Sequence, residues 1–274
     1  MKFAIVSRVV SLALFMLFNV AAYASGDKLV ITGASTVAPL VAEIAKRFEN
    51  RNPGTRIDVQ SGGSSRGIND ARQGLADIGM VSRSLKPEER DLAAYTIALD
   101  GVSVIVNKAN PVTRLAPEQV VAIYSGTIRN WKDVGGKDEA ITVVNKAEGR
   151  STLELFTQHF KLTNSQIKAH VVIGDNQQGI KTVAGVRGTI GYVSIGSAEY
   201  EQEQGTAIRL VPTTGVAATA DNVKNGTYPL MRPLNLVTKE PATGLAKRFI
   251  DFASSPAVVD LVKEQFFVPP ASKS

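Results

Sequence analysis

Thr32-Gly33-Ala34-Ser35-Thr36-Val37-Ala38-Pro39 is the stretch from which the fold can be read. Lys28-Leu29-Val30-Ile31, before it, is short, apolar and β-branched, and a glycine follows, which predicts a buried strand. Beyond it, Val37, Leu40, Val41, Ile44, Ala45 and Phe48 recur at helical spacing, which predicts an amphipathic helix. Ser35 or Thr36 is the expected N-cap, and Pro39 is tolerated because first-turn amides lack intrahelical partners. A strand-to-helix turn of this composition places free amides and hydroxyls together at a helix N-terminus, which is a physical anion site.

The same device returns along the chain. Arg56-Ile57-Asp58-Val59 follows the Asn52-Pro53-Gly54 turn and runs into Ser61-Gly62-Gly63-Ser64-Ser65-Arg66-Gly67. A short helix through Ala71 then stops at Gly74, and Ala76 to Val81 reads as a third strand leading to Ser82-Arg83-Ser84. Pro87-Glu88-Glu89 has the composition of a helix first turn. Ile141-Thr142-Val143-Val144 leads to Gly149-Arg150-Ser151-Thr152, and Ser151 with Glu154 has the spacing of a capping box. Gly101 to Val106, Val171 to Ile173, Gly188 to Val193 and Leu234 to Val237 are further strands; Pro117 to Tyr124, Gly244 to Phe252 and a last segment ending at Phe267 are helices. Alternation of this kind predicts an α/β fold with parallel strands. In such a sheet the turns leaving the strands gather at one edge, where ligands bind. Ser35, Thr36, Ser64, Ser65, Ser82, Ser151 and Thr152 therefore form the candidate set. Hydroxyls and helix-terminal amides can neutralise an oxyanion without a metal, provided that the dry charge is fully hydrogen-bonded.

Composition narrows the function classes. Met1-Lys2 and Arg8, an apolar run from Val9 to Val20, and Ala22-Tyr23-Ala24 have the form of a secretory signal cleaved after Ala24. The apolar run is too short and wrongly flanked for a membrane span. The chain has no cysteine, so it has neither disulfides nor a lipid-attachment site, and a soluble periplasmic protein is expected. Loss of Lys2 and Arg8 with the signal lowers the formal charge from +6 to +4. The basic residues are scattered and the aromatics show no stacking pattern, which argues against nucleic acid. His159 and His170, the only histidines, sit in no metal-ligand spacing, so neither a metal nor another cofactor is expected. Trp131 is expected to pack a loop, and Asp77 to cap or pair locally.

Five ordered motifs carry a resemblance: Gly33-Ala34-Ser35-Thr36, Gly62 to Gly67, Ala76-Asp77-Ile78-Gly79-Met80, Tyr124-Ser125-Gly126 with Asn130-Trp131-Lys132-Asp133, and Tyr228-Pro229-Leu230 with Arg232-Pro233-Leu234. Over almost the whole mature chain the sequence resembles the periplasmic phosphate-binding proteins of phosphate ABC importers. The resemblance implies a two-lobed type II periplasmic-binding-protein fold in which each lobe is a mainly parallel sheet flanked by helices, joined by two hinge strands. Residues 25–104 and 231–274 would form lobe I and residues 105–230 lobe II, after a signal at 1–24. It also implies capture of inorganic phosphate in the interlobe cleft by a monomer, with no catalysis, and delivery to an inner-membrane permease.

Position by position, Ser35, Thr36 and Ser64 match the family's ligands, with Ser65 beside them. Ser151 and Thr152 match its third segment, into which Arg150 is inserted; Lys146 stands where some members have an arginine. Either cation would balance the anion. Well-known members carry an aspartate after the third strand that accepts the proton of monohydrogen phosphate. Here Ser82-Arg83 stands in that place, and Asp100 is the alternative acceptor. That departure keeps sulfate, molybdate and tungstate open as ligands. Two further functions also stay open. One is a secreted phosphoester hydrolase, which would need a nucleophile beside a base or a metal pair. The second is a signalling protein without transport.

Overall fold

The computed structural model describes residues 27–271, and the signal expected at 1–24 lies outside the described residues. Nine strands make one continuous ladder: β1 (Lys28–Gly33), β2 (Arg56–Ser61), β3 (Ile78–Val81), β4 (Ala93–Asn107), β5 (Thr142–Lys146), β6 (Val171–Ile173), β7 (Thr189–Ser194), β8 (Ile208–Val211) and β9 (Met231–Thr238). Their order is β2-β1-β3-β9-β4-β7-β5-β6, with β8 also on β4. The helices are α1 (Ala38–Arg51), α2 (Ser64–Gln73), α3 (Pro117–Tyr124), α4 (Ser151–Phe160), α5 (Asn176–Gly185), α6 (Ile195–Glu203), α7 (Ala220–Lys224), α8 (Gly244–Ala253) and α9 (Val259–Glu264). None of the described helices is long and apolar enough to cross a membrane.

The 15-residue strand β4 binds the two halves of the ladder together. From Ala93 to Gly101 it pairs with β9; from Val102 onward it pairs with β7, and from Val104 with β8. Every pair involving β4 or β9 is antiparallel, whereas β1–β2, β1–β3, β5–β6 and β5–β7 are parallel. Each lobe is thus parallel away from the crossing strands and antiparallel at them. The first half of β4 carries no strand signal in the sequence, because Ala93-Ala94-Tyr95-Thr96 lacks an apolar alternation and its exposed face reads as loop.

Of four apolar clusters among the described residues, the two largest lie on opposite sides of the crossing strands. Leu29, Ile31, Leu40, Ile44, Ile78, Leu234 and Phe249 pack on the first side; Val104, Tyr124, Trp131, Phe156, Ile190 and Tyr192 pack on the second. Helix α1 buries the face made by Leu40, Val41, Ile44, Ala45 and Phe48, as its spacing predicts. Trp131 is buried and donates to the Gly188 carbonyl at 2.9 Å, pinning its loop to the foot of β7. Asp77 stays local, accepting from the Val30 amide at 2.8 Å.

Local structure differs from the sequence reading at three helix starts. Helix α1 begins at Ala38 with Val37 as its cap, and neither Ser35 nor Thr36 caps it. Helix α4 is capped by Arg150 without a side-chain bond, so Ser151 and Glu154 do not form a capping box. Pro87–Glu89 is a single 3-10 turn. In the first two cases the hydroxyl is drawn off by partners across the molecule. Helices α5 and α6 and strand β8 show no clear period in the sequence, where polar residues and short runs hide it, and the two helix starts are marked only by their caps, Asp175 and Ser194.

Candidate anion-binding cleft

Three glycines place the helix N-termini. Gly33 ends β1 with φ of 133°, a conformation that an L side chain rarely adopts. A Cβ on Gly67 would lie 2.7 Å from the Met80 carbonyl and 3.0 Å from that of Thr32, so α2 rests directly on the backbone of β1 and β3. Gly63, with φ of 100°, turns the chain into α2 and sets Ser64 at its first position. The consequence is that Ser64 is wholly buried at the junction of the lobes.

Around that junction lies a constellation centred on Arg232. Arg232 stands on β9 opposite Asp100 on β4, next to the point where β4 changes partner. Its side chain is 1% exposed and pairs with the equally buried Asp100, Nη2 donating to Oδ2 at 2.8 Å and Nε at 3.1 Å. The other Asp100 oxygen accepts from the Gly196 amide at 3.2 Å. The far edge of the guanidinium reaches both lobes. Nη1 donates to Thr152 Oγ1 at 3.1 Å and approaches Ser82 at its carbonyl (3.4 Å) and hydroxyl (3.5 Å). Nη2 donates to Thr36 Oγ1 at 3.3 Å.

The hydroxyls also meet each other. Ser151 Oγ hydrogen-bonds Ser64 Oγ across the cleft, and Ser64 Oγ accepts from the Ser82 amide at 3.1 Å. Thr36 Oγ1 accepts a second bond from Asn176 Nδ2 at 3.2 Å. A hydroxyl has one proton and two lone pairs. Where donors occupy both lone pairs, as at Thr36, the proton is turned outward as a donor. The arrangement can therefore present several oriented O–H groups to one anion.

Lys146 enters through Asn176. Its Nζ donates to the Asp175 carbonyl at 2.8 Å and to Asn176 Oδ1 at 3.0 Å, and the residue is 3% exposed. Burial pushes its pKa down to about 7; Arg232 and Arg150 add to the depression and Asp175 opposes it. Arg150 is half-buried at the cleft mouth, with its guanidinium against Gly63 of one lobe and Gly174 of the other. Ser65 is half-buried there too, its amide donating to the Gly149 carbonyl at 3.3 Å. Ser35 is half-buried in the first turn.

Thr36, Ser64, Ser82, Asp100, Ser151 and Thr152 are thus brought together, Lys146 is one residue removed, and Ser35, Ser65 and Arg150 lie at the edges. Arg232 and Asn176 lie outside the set that the sequence suggests. Arg232 carries a legible signal, since an arginine inside the apolar run Leu230 to Val237 is a buried charge that needs a partner. Asn176 gives none: Asp175 marks the start of its helix as an N-cap, but its partner Thr36 lies 140 residues away in sequence. Among the described residues no group of three or more His, Cys, Asp or Glu is placed to hold a metal ion.

Comparison with known proteins agrees with this architecture. Residues 19–257 match the model of the PBP superfamily domain. The phosphate-binding protein PstS of Bacillus subtilis (strain 168) is 31% identical over 251 residues, covering 90% of this chain and 81% of the relative. That of Borreliella burgdorferi is 29% identical over 255 residues, covering 88% and 90%. Among solved structures, an ABC transporter substrate-binding protein from Clostridium perfringens with bound phosphate superposes with a TM-score of 0.82 at 33% identity, covering 89% of this chain and 100% of that one. The ABC-type phosphate transport receptor of Vibrio cholerae gives 0.73 at 32% identity, covering 88% and 100%. The chain belongs to the PBP superfamily and, within it, to the PstS family of phosphate-binding proteins.

Proposed function

We propose that this protein is a solute-binding protein that captures inorganic phosphate between its lobes and hands it to an ABC permease. The observation that carries the reading is the cross-cleft set of hydroxyls gathered by Arg232. Thr36 and Ser64 come from one lobe and Ser151 and Thr152 from the other, and none of them is spent on capping a helix. Such a set is complete only when the lobes are together, so ligand binding and closure are one event. The division that we propose is residues 25–104 with 231–274 against residues 105–230. Its pivot is at Gly101–Val102 and Met231, where strand partners change. Micromolar affinity needs about 8 kcal/mol, within reach of several charge-assisted bonds at about 1.5–3 kcal/mol each.

The roles follow from the contacts. Arg232 supplies the charge, and Asp100 holds its guanidinium in plane. Ser64, Thr36 and Thr152 offer hydroxyl protons, Ser151 does so by turning its own from Ser64 to the anion, and Ser35, Ser65 and Ser82 help. Lys146 and Arg150 raise the local potential. Export by a signal cleaved after Ala24, residence in the periplasm, a monomeric state and an inner-membrane permease as partner complete the proposal. A second reading, sulfate or molybdate as ligand, is favoured by one observation. Asp100 accepts on both carboxylate oxygens, which ties it to Arg232 and Gly196 instead of leaving it as a free proton acceptor.

Titration calorimetry on anion-stripped protein with phosphate, sulfate and molybdate tests the assignment. Phosphate binding in the micromolar range or tighter, weakened about 10- to 100-fold by Ser151→Ala, is expected. A preference for sulfate or molybdate would move the protein to the second reading, and silence toward every anion would overturn both.

A further inference from the structure

Glu154 has the spacing of a capping-box acid, yet it turns away from its own helix start. Its Oε2 lies 2.9 Å from Arg83 Nε and 3.1 Å from Lys86 Nζ. Glu154 belongs to α4 of lobe II; Arg83 and Lys86 belong to the loop after β3 of lobe I. The ion cluster therefore bridges the cleft, beside the hydroxyl set and outside it.

That lobe I loop is built as a fixed cationic pad. The Arg83 carbonyl is held by Asn235 Nδ2 at 2.9 Å, tying the loop to β9. Arg83 grips Glu89 with both terminal nitrogens, at 2.5 and 2.8 Å, and Glu89 in turn accepts from the Lys86 amide at 2.9 Å. Two cations and one carboxylate leave a single positive charge facing the opposite lobe. The Arg83 side chain is 5% exposed and that of Glu154 is 26% exposed, so water screens this pair less than a surface pair. Arg83 Nε and Glu154 Oε2 have no aligned hydrogen-bond partner, so the contact acts through charge and not through a directed bond. Opening the cleft leaves Arg83–Glu89 intact and separates Glu154 from both cations.

We infer that Glu154 is a positioning residue for ligand capture: its cross-cleft pairing with Arg83 and Lys86 holds the lobes together around the anion and slows release without touching the ligand. The inference rests on the capture reading above and adds a part outside the anion's own shell. The pairing acts on the closed state alone, so its loss should appear in the dissociation rate with little change in association. Arg83 is unsuited to the test, because its removal would leave Glu89 without its buried partner.

The experiment compares wild type, Glu154→Gln, Glu154→Lys and Lys86→Met in two readouts. Phosphate dissociation is followed by stopped flow at low and high salt. Lobe separation is followed with spin labels on Leu75→Cys and Val172→Cys; both sites are exposed, in opposite lobes, in a chain that has no other cysteine. Glu154→Gln is expected to speed release by roughly three- to tenfold, in line with a partly screened pair. Glu154→Lys should do so by more and lengthen the inter-label distance, with melting temperatures near wild type. Lys86→Met should show a smaller effect, which shrinks in the Glu154→Gln background. Wild type should lose more of its slow release at high salt than Glu154→Gln does. Unchanged release and separation in both Glu154 variants would overturn the inference while phosphate capture stands. Distance changes with no phosphate binding by wild type would instead keep the pairing and overturn the capture reading.

Discussion

Arg232 carries one charge and five N–H donors in a rigid fork, and each edge of that fork has a separate task here. One edge is taken by Asp100, and the other is shared among Thr36, Thr152 and Ser82. Lysine would keep the charge and lose the fork. Arg232→Lys is therefore expected to weaken anion binding by roughly a hundredfold, as truncation of a buried charged donor does elsewhere; titration calorimetry reads it. Lys146 supplies a pH test. Its pKa in the folded protein is lowered to about 7, against about 10.4 in an unfolded chain. Between those values the unfolded state binds more protons, so stability rises with pH across this window. Below about pH 7 the folded protein bears the full cost of a charged buried amine. Lys146→Met should therefore stabilise the protein most at pH 6 and progressively less toward pH 10, in urea denaturation without added oxyanion. At this scale the sequence is informative about which hydroxyls gather, since Gly-Ser-Thr turns advertise themselves. It is silent on the role of Asn176: Asp175 marks the helix start as its N-cap, but nothing local shows that the next side chain reaches Thr36 across the molecule.

Elements explain how those residues come to share one spot. Helix α2 lies against β1 and β3 with no side chain between, because Gly67 and Gly33 remove the Cβ atoms that would part them. A methyl on Gly67 would meet the Met80 and Thr32 carbonyls, which are fixed in the ladder and cannot give. Gly67→Ala is expected to destabilise by about 1–3 kcal/mol and to lift Ser64 away from Ser82 and Ser151, weakening anion binding as well. Gly185→Ala, at the end of α5 with no atom within 4 Å of the new Cβ, serves as a control and should be neutral or slightly stabilising. Helices α1 and α3 are legible because one face of each is apolar at helical spacing, and the parallel strands because they are short, nearly continuous apolar runs. The capping-box spacing at Ser151 misleads, because local spacing cannot show that a better partner waits on another lobe. Glu154 finds Arg83 and Lys86, and Ser151 finds Ser64. The first half of β4 is hidden for a related reason: its pairing with β9 joins segments more than a hundred residues apart.

The described residues build two main apolar cores, each with a smaller satellite cluster, and a polar seam between them, and this separation has a spectroscopic signature. Trp131, the only tryptophan, belongs to the second core and its indole nitrogen is satisfied by Gly188. Its emission should be blue-shifted and should stay nearly constant when phosphate is added, then move to the red as the protein unfolds in urea; a large response to ligand would place the moving parts inside the second lobe. Fold and cleft are readable from the order of motifs along the chain. The seam is not, because contacts such as Asn176–Thr36 exist only after both cores have formed.

Asp100 and Arg232 face each other in the strands that run between the lobes, beside the residue where β4 passes from one lobe to the other. A rotation about the proposed pivot would swing the hydroxyls apart like the leaves of a door but leave the ion pair on the pin. A cycle of loading and unloading would therefore exchange hydroxyls and amides with water without parting Arg232 from Asp100; the cross-cleft ion contact that it does break, Glu154 with Arg83 and Lys86, involves a partly exposed carboxylate. Rehydration of the most deeply buried ion pair is then absent from the cycle, so a protein that grips its anion firmly could still let go promptly once its lobes are held apart.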